Sequence, residues 1–174
     1  MKEYFDEVDK DDVPTGRKVT KQEAHDNWII HRCVAVFVFD DQGRLYVQEH
    51  LKSDRHLDHT VGGHVASGED YKTAAIREAE EEIGLTGVAL KEIMTGYYSL
   101  ERRYIHMFGI YECVAPADWK FVPNDEVDVI YPLPVEEIVR AMNERPEKFT
   151  GGFINTMKKY LEVNKLPHKV EVEL

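Results

Sequence analysis

Four glutamates crowd one short stretch of the chain: Glu78, Glu80, Glu81 and Glu82 fall within five residues. A helix through them sets Glu78 and Glu82 at i, i+4 and Glu78 and Glu81 at i, i+3. Those three share a face, and Glu80 points away. Like-charge pairs at such spacings cost about 0.2–0.5 kcal/mol each. They also occupy the last turns, where the helix dipole favours cations. A hard divalent cation removes the conflict, because carboxylates are what Mg²⁺ and Mn²⁺ bind. Glu78 and Glu82 stand about 6 Å apart along the axis, a reach suited to bracketing one or two ions. A solvated acidic face produces the same charge run, so the surrounding spacing has to decide between the two.

The elements that must position these carboxylates are legible. A helix is expected over Tyr71–Ile83, with Asp70 as N-cap and Gly84 as the left-handed stop. Ala75, Ala79 and Ile83 form its apolar stripe. Upstream, two short strands are expected near Glu3–Val8 and Gly16–Val19, then a short helix capped by Thr20 with Glu23. The run from Cys33 to Phe39 reads as a buried strand. It turns at Asp40–Gly43 into a second strand, Arg44–Gln48, as a hairpin. Residues 49–61 read as irregular. Later strands are expected near Val88–Thr95, Tyr104–Val114 and Asp128–Pro132, and helices near Val135–Asn143 and Gly152–Asn164. The tail from Lys165 reads as frayed or as a short edge strand. This order predicts an α/β (α+β) fold with a mixed sheet.

Gly63, Glu69, Arg77-Glu78, the apolar Ala79, Glu81-Glu82, Gly84 and the apolar Leu85 have the spacing of the Nudix box, and no fixed position departs from it. The chain therefore resembles the Nudix family. The resemblance implies an α/β/α sandwich in which the box forms a loop-helix-loop. It implies hydrolysis of a diphosphate linkage in a nucleoside diphosphate derivative or a related small molecule. By motif position, Glu78, Glu81, Glu82 and the carbonyl of Gly63 would hold Mg²⁺ or Mn²⁺. Glu69 and Arg77 would pair to tie the loop to the helix, and Gly63 and Gly84 would serve backbone geometry. The base that activates water would be a box glutamate, here Glu78, or a carboxylate on a later loop, here Asp125 or Glu126.

Beyond the box, Pro14-Thr15-Gly16-Arg17, Glu23-Ala24-His25, His31-Arg32 and Phe149-Thr150-Gly151-Gly152-Phe153 resemble the Nudix subgroup related to isopentenyl-diphosphate isomerase. That makes isomerase the alternative activity. The isomerase requires a protonating cysteine beside its Gly-His pair, where this chain has Gly62, and acidic ligands on a later strand, where Arg102 to Met107 show no carboxylate. A ligand sensor without catalysis is a further alternative, but such domains usually lose box glutamates that this chain keeps. His25, His31 and His64 are candidates for a second, histidine-rich metal site, although each alone is an ordinary hydrogen-bonded or surface histidine. Family arginines expected at the strand end are replaced by Gln48-Glu49-His50. Substitute cations are Lys52, Arg55, Arg102 and Arg103, of which Arg55 and Arg102, with His64, are the substrate-facing candidates. Tyrosines on the strands, including Tyr97 and Tyr104, could stack a base, but aromatic residues there more often fill the core.

Composition sets the remaining bounds. The chain has 174 residues, and its net charge of −11 argues against a nucleic-acid polymer as partner. An N-terminal extension, residues 1–30, is expected to pack on a Nudix domain, residues 31–174, in one structural unit. No apolar run approaches the roughly 20 residues of a membrane span. The acidic first residues lack the apolar core of a signal peptide. Cys33 and Cys113 lie in apolar stretches and read as small buried hydrophobes in a reducing cytoplasm. A homodimer is compatible with the family but nothing in the sequence requires it.

Overall fold

The computed structural model describes residues 3–50, 56–101, 104–125 and 127–172. Strand β1 (Phe5–Val8) and strand β2 (Pro14–Val19) form an antiparallel ribbon. Helix α1 (Lys21–Asp26) follows, with the Thr20 hydroxyl accepting from the Glu23 amide as the sequence predicts. The central strand is β3 (His31–Phe39), with β4 (Leu45–His50), β5 (His56–Asp58) and β6 (Val61–His64) after it. Helix α2 (Tyr71–Ile83) precedes strands β7 (Lys91–Leu100), β8 (Ile105–Val114) and β9 (Val129–Leu133). Helices α3 (Val135–Glu144) and α4 (Gly151–Val163) close the chain. None of the described helices is long and apolar enough to cross a membrane.

β3 organises the sheet. It runs parallel to β8 along its whole length and antiparallel to β6. Its period-two alternation decides what each face meets. Val34, Val36 and Val38 pack with Ala74, Ala75, Ala79 and Ile83 of α2. Cys33, Ala35 and Phe37 pack with Ile138 and Met142 of α3 and Phe153, Ile154 and Met157 of α4. Helices on both faces of a mixed sheet give the expected sandwich. A strand buried on both faces needs apolar residues at every position, which explains the unbroken apolar run.

Two expectations are corrected. The hairpin opens almost at once: β3 and β4 share only the Phe39–Leu45 pair, after which β4 pairs with β9 and β5. The stretch read as irregular contains β5 and β6. Both are short and polar, and Gly62-Gly63 has no side-chain pattern to betray a strand.

The N-terminal ribbon is tied to the box. Asp6 accepts from the Ser67 hydroxyl (2.7 Å) and the Gly68 amide (2.9 Å). Asp12 accepts from Arg32 Nε (2.7 Å) and the Tyr71 hydroxyl (3.0 Å) at the start of α2. Gly109 on β8 makes room for Tyr71, whose Cδ1 would lie 2.5 Å from a Cβ there.

Candidate functional site

The box loop enters α2 through two locks. Asp70 caps the helix by accepting from the Thr73 amide (2.8 Å), and Gly84 ends it at φ 63°. Arg77 then binds backward. Its Nη2 donates to Glu69 (2.9 Å) and to the carbonyl of His64 (3.0 Å), and its Nε donates to Glu69 (3.1 Å). The fork spans both carboxylate oxygens, a geometry lysine cannot reproduce. Burial raises the Glu69 pKa, but Arg77 and the Ala66 amide outweigh it and hold the carboxyl below its usual value.

The three box carboxylates gather where β6 meets α2. Arg77 Nη1 donates to Glu78 (2.9 Å) and to the exposed Glu81 (3.1 Å). Glu82 accepts from Gln48 Nε2 (2.9 Å) and the Gly62 amide (3.1 Å). Among the described residues no cation lies within ion-pairing distance of the Glu82 carboxylate. Burial, reinforced by Glu78, therefore pushes its pKa up to about 8 despite the Gly62 and Gln48 hydrogen bonds. Burial also raises Glu78, with Arg77 opposing. Gly63 lets Glu78 come this close, since a Cβ at 63 would lie 2.1 Å from Glu78 Cδ. The donor set is all oxygen and short of positive charge, which fits a hard divalent cation. Glu80 is exposed, as expected.

Gln48 stands where family arginines were expected, and its function here is to fix Glu82 while also donating to the Thr60 carbonyl (2.7 Å). The loop before β9 is tied to the same helix end, where Asn124 Nδ2 donates to the Glu82 carbonyl (2.8 Å). Asp125 lies on that loop. Glu126, Arg55, Arg102, Lys52 and Arg103 lie outside the described residues.

A second cluster lies across the sheet. Alternation on β6 turns Gly63 toward α2 and His64 toward the opposite face, where His64 pairs in register with Cys33. His31 pairs in register with His106 on β8, and α1 brings His25 over them. The ligand nitrogens of His25, His31, His64 and His106 all lie within 4.8 Å of one another. The Nε2 atoms of all four are buried without a hydrogen-bond partner. An unsatisfied buried polar group costs about 1–3 kcal/mol, so four at one point form an expensive arrangement.

Ring positions in this cluster are set from behind. His31 Nδ1 bonds the Ile29 carbonyl (2.8 Å), and His106 Nδ1 bonds Glu101 (2.9 Å). Burial and the neighbouring imidazoles hold His25 down to about 4. Burial lowers His106, but Cys33 and Glu101 outweigh it and raise it to about 10. The sequence singled out His25, His31 and His64. It missed His106, whose place follows only from the parallel pairing of β8 with β3. Glu101 was missed as well, because it lies one residue before the stretch Arg102 to Met107 that was read for carboxylates. Cys33 stands beside His64 through strand pairing, where sequence adjacency alone offered no cysteine.

A cleft of about 410 Å³ opens onto this cluster, with Lys21, His59 and Tyr104 on its walls and Gly62 and Gly63 at its edge. Tyr104 packs on His25 at 4.4 Å between ring centroids. Tyr97 packs against the core instead. The Phe149–Phe153 motif closes the cleft. Thr150 caps α4, and Gly151 leaves room for Glu101, which a Cβ there would approach at 3.2 Å. His59 bridges Asp58 (2.7 Å) and Thr156 (2.6 Å). Thr156 is fully buried and its hydroxyl donates to the Gly152 carbonyl (2.8 Å), so this chain ties strand to helix and offers no nucleophile. Both cysteines are buried and free.

The comparisons agree with this geometry. The NUDIX domain model matches residues 29–153. An uncharacterised Nudix hydrolase of Yersinia pestis is 30% identical over 167 residues, covering 93% of this chain and 87% of the relative. An isopentenyl-diphosphate Delta-isomerase of Pectobacterium atrosepticum is 32% identical over 158 residues, covering 84% of each. A crystal structure of a Deinococcus radiodurans protein superposes with a TM-score of 0.74 at 23% identity, covering 90% of this chain and 98% of that one. The chain belongs to the Nudix family, hydrolases that act on pyrophosphate bonds.

Proposed function

We propose that the chain cleaves a diphosphate linkage in a nucleoside diphosphate derivative or a related small molecule, using Mg²⁺ or Mn²⁺ held by Glu78, Glu81, Glu82 and the Gly63 carbonyl. The observation that carries this reading is Glu82. Its carboxylate is partly buried, oriented by two neutral donors and without a cationic partner among the described residues. Held by these residues, such an ion would supply Lewis-acid polarisation of phosphorus, a lowered pKa for bound water and charge neutralisation at the leaving group. The protein's own residues do the positioning. Arg77 anchors the loop to the helix, Gln48 and the Gly62 amide orient Glu82, and Glu78 or Glu126 takes the proton from water.

The test is a substrate panel with Mg²⁺ and Mn²⁺ and Glu82→Gln as blank, with products identified. ADP-ribose, NADH, coenzyme A, nucleotide sugars, nucleoside triphosphates and isopentenyl diphosphate cover the chemistry. Metal-dependent cleavage of one class, lost in the variant, supports the proposal. Isomerisation of isopentenyl diphosphate without cleavage would replace it with the isomerase reading, which Cys33 beside His64 favours. Binding without turnover on the whole panel would replace it with a sensor.

A further inference from the structure

We infer that Asn124 is a positioning residue for the proposed hydrolysis: it ties the loop before β9 to the Glu82 end of α2, so that a carboxylate of this loop, and not Glu78, takes the proton from water. The inference rests on the hydrolase reading and adds to it which element supplies the base and which residue places that element.

Three bonds of Asn124 carry it. Its amide donates to the Val127 carbonyl (3.0 Å), and its Oδ1 accepts from the Val127 amide (2.9 Å). The side chain thereby stands in for a main-chain carbonyl and closes a tight turn. The two residues between Asn124 and Val127 in the sequence, Asp125 and Glu126, are both acidic. Asn124 Nδ2 then donates to the Glu82 carbonyl (2.8 Å). That carbonyl lies in the last turn of α2, where carbonyls have no partner within the helix. The turn is therefore fixed to the same residue whose carboxylate is oriented by Gln48 and the Gly62 amide. Packing holds the flanks of the loop. Trp119 and Phe121 pack on the cluster that contains Ile83 and Leu85, and Val127 is buried. Val122 between them is exposed, so polar bonds fix this part of the loop.

The reaction step assigns the proton. The water oxygen bonds to phosphorus, the bridging P–O bond breaks with its electron pair leaving on the departing phosphate, and the water proton passes to a carboxylate. That carboxylate has to lie within hydrogen-bond reach of the water. Glu78 is held by Arg77 Nη1 (2.9 Å) and walled in by Gly63, which suits a fixed ligand. The Asn124 amide cannot itself accept the proton at neutral pH, so its contribution is to place its neighbours.

The test compares the wild type with Asn124→Ser and Asn124→Asp. Both variants keep an oxygen for the Val127 amide, and neither reaches the Glu82 carbonyl with a donor. Rates are measured with Mg²⁺ on whichever panel substrate the wild type cleaves, and Mn²⁺ binding is followed by electron paramagnetic resonance. Each variant should lose about 10–100-fold in kcat, the size expected for a misplaced reacting group. KM and Mn²⁺ affinity should stay within about 3-fold of the wild type, since the loss falls on the chemical step alone. The deficit should shrink at least about 5-fold between about pH 7 and about pH 9, because hydroxide needs no base. The chain carrying Asp125→Asn with Glu126→Gln should show the same pattern. Circular dichroism identifies a variant that fails to fold, and the other decides. Full kcat in both folded variants, a loss that tracks Mn²⁺ affinity, a deficit that does not change with pH, or full kcat without the two loop carboxylates would overturn the inference and leave the hydrolase reading standing. Absence of cleavage by the wild type on the whole panel would overturn both.

Discussion

Gly63 and Glu78 are fitted to each other so closely that a single methyl group cannot be placed between them: a Cβ at 63 would lie 2.1 Å from the Glu78 carboxyl carbon. Gly63→Ala must therefore displace Glu78 or part β6 from α2. The expected outcome is a loss of 100-fold or more in turnover and a stability cost of about 1–3 kcal/mol, as for other overpacked sites. Melting curves and rates on one preparation check both. Gly109→Ala makes the contrast. It meets Tyr71 instead of a carboxylate, so it should lower stability by a similar amount and leave the metal affinity of the box intact.

Glu82 makes the metal-free protein sensitive to pH. Its folded pKa of about 8 lies above the ordinary glutamate value of about 4.3. A raised pKa means that stability is fully present below the unfolded value and is lost as pH rises through the folded one. In chelator, the wild type should lose stability between about pH 5 and 8, and Glu82→Gln should not. The variant should be more stable at pH 8 by about 2 kcal/mol, since each unit is worth about 1.4 kcal/mol and part of the carboxylate is solvated. Denaturant midpoints at pH 5 and pH 8 check the sign. Lower stability of the variant at pH 8 would contradict it.

Asp6 links the N-terminal ribbon to the box loop through Ser67 and Gly68. Burial raises its pKa, but these two hydrogen bonds and nearby cations outweigh it and hold the pKa low. Its contribution should be present above the unfolded carboxylate pKa of about 3.9 and vanish as pH falls through the folded value. Asp6→Asn should cost about 1 kcal/mol at pH 7 and loosen residues 66–69. Hydrogen exchange of the Gly68 amide should report this directly.

Arg77→Lys should be far from conservative. The guanidinium contacts Glu69, Glu78, Glu81 and the His64 carbonyl together. An ammonium cannot span them. Turnover should fall at least 10-fold, with a loss of about 1–3 kcal/mol in stability from the carbonyl and carboxylate left partly unpaired.

The sequence exposes what is local. The cap at Asp70 and the stop at Gly84 follow from residues close along the chain, the Glu69–Arg77 pair follows from the resemblance to the box, and the structure has each. Contacts made by strand pairing escaped. β6 carries Gly62-Gly63 where a strand pattern needs side chains, so it read as loop. His106 joins His31 only because β8 runs parallel to β3 in that register. Gln48 looked like a missing arginine, yet it orients Glu82.

The most direct test of the metal assignment at the box is Mn²⁺ binding followed by electron paramagnetic resonance, because free and bound Mn²⁺ differ in signal and no substrate is needed. Wild-type protein and His106→Gln should bind Mn²⁺ alike, and Glu82→Gln should bind it at least 10-fold more weakly. Equal Mn²⁺ affinity in the wild type and in Glu82→Gln would contradict the assignment of the box carboxylates as ligands.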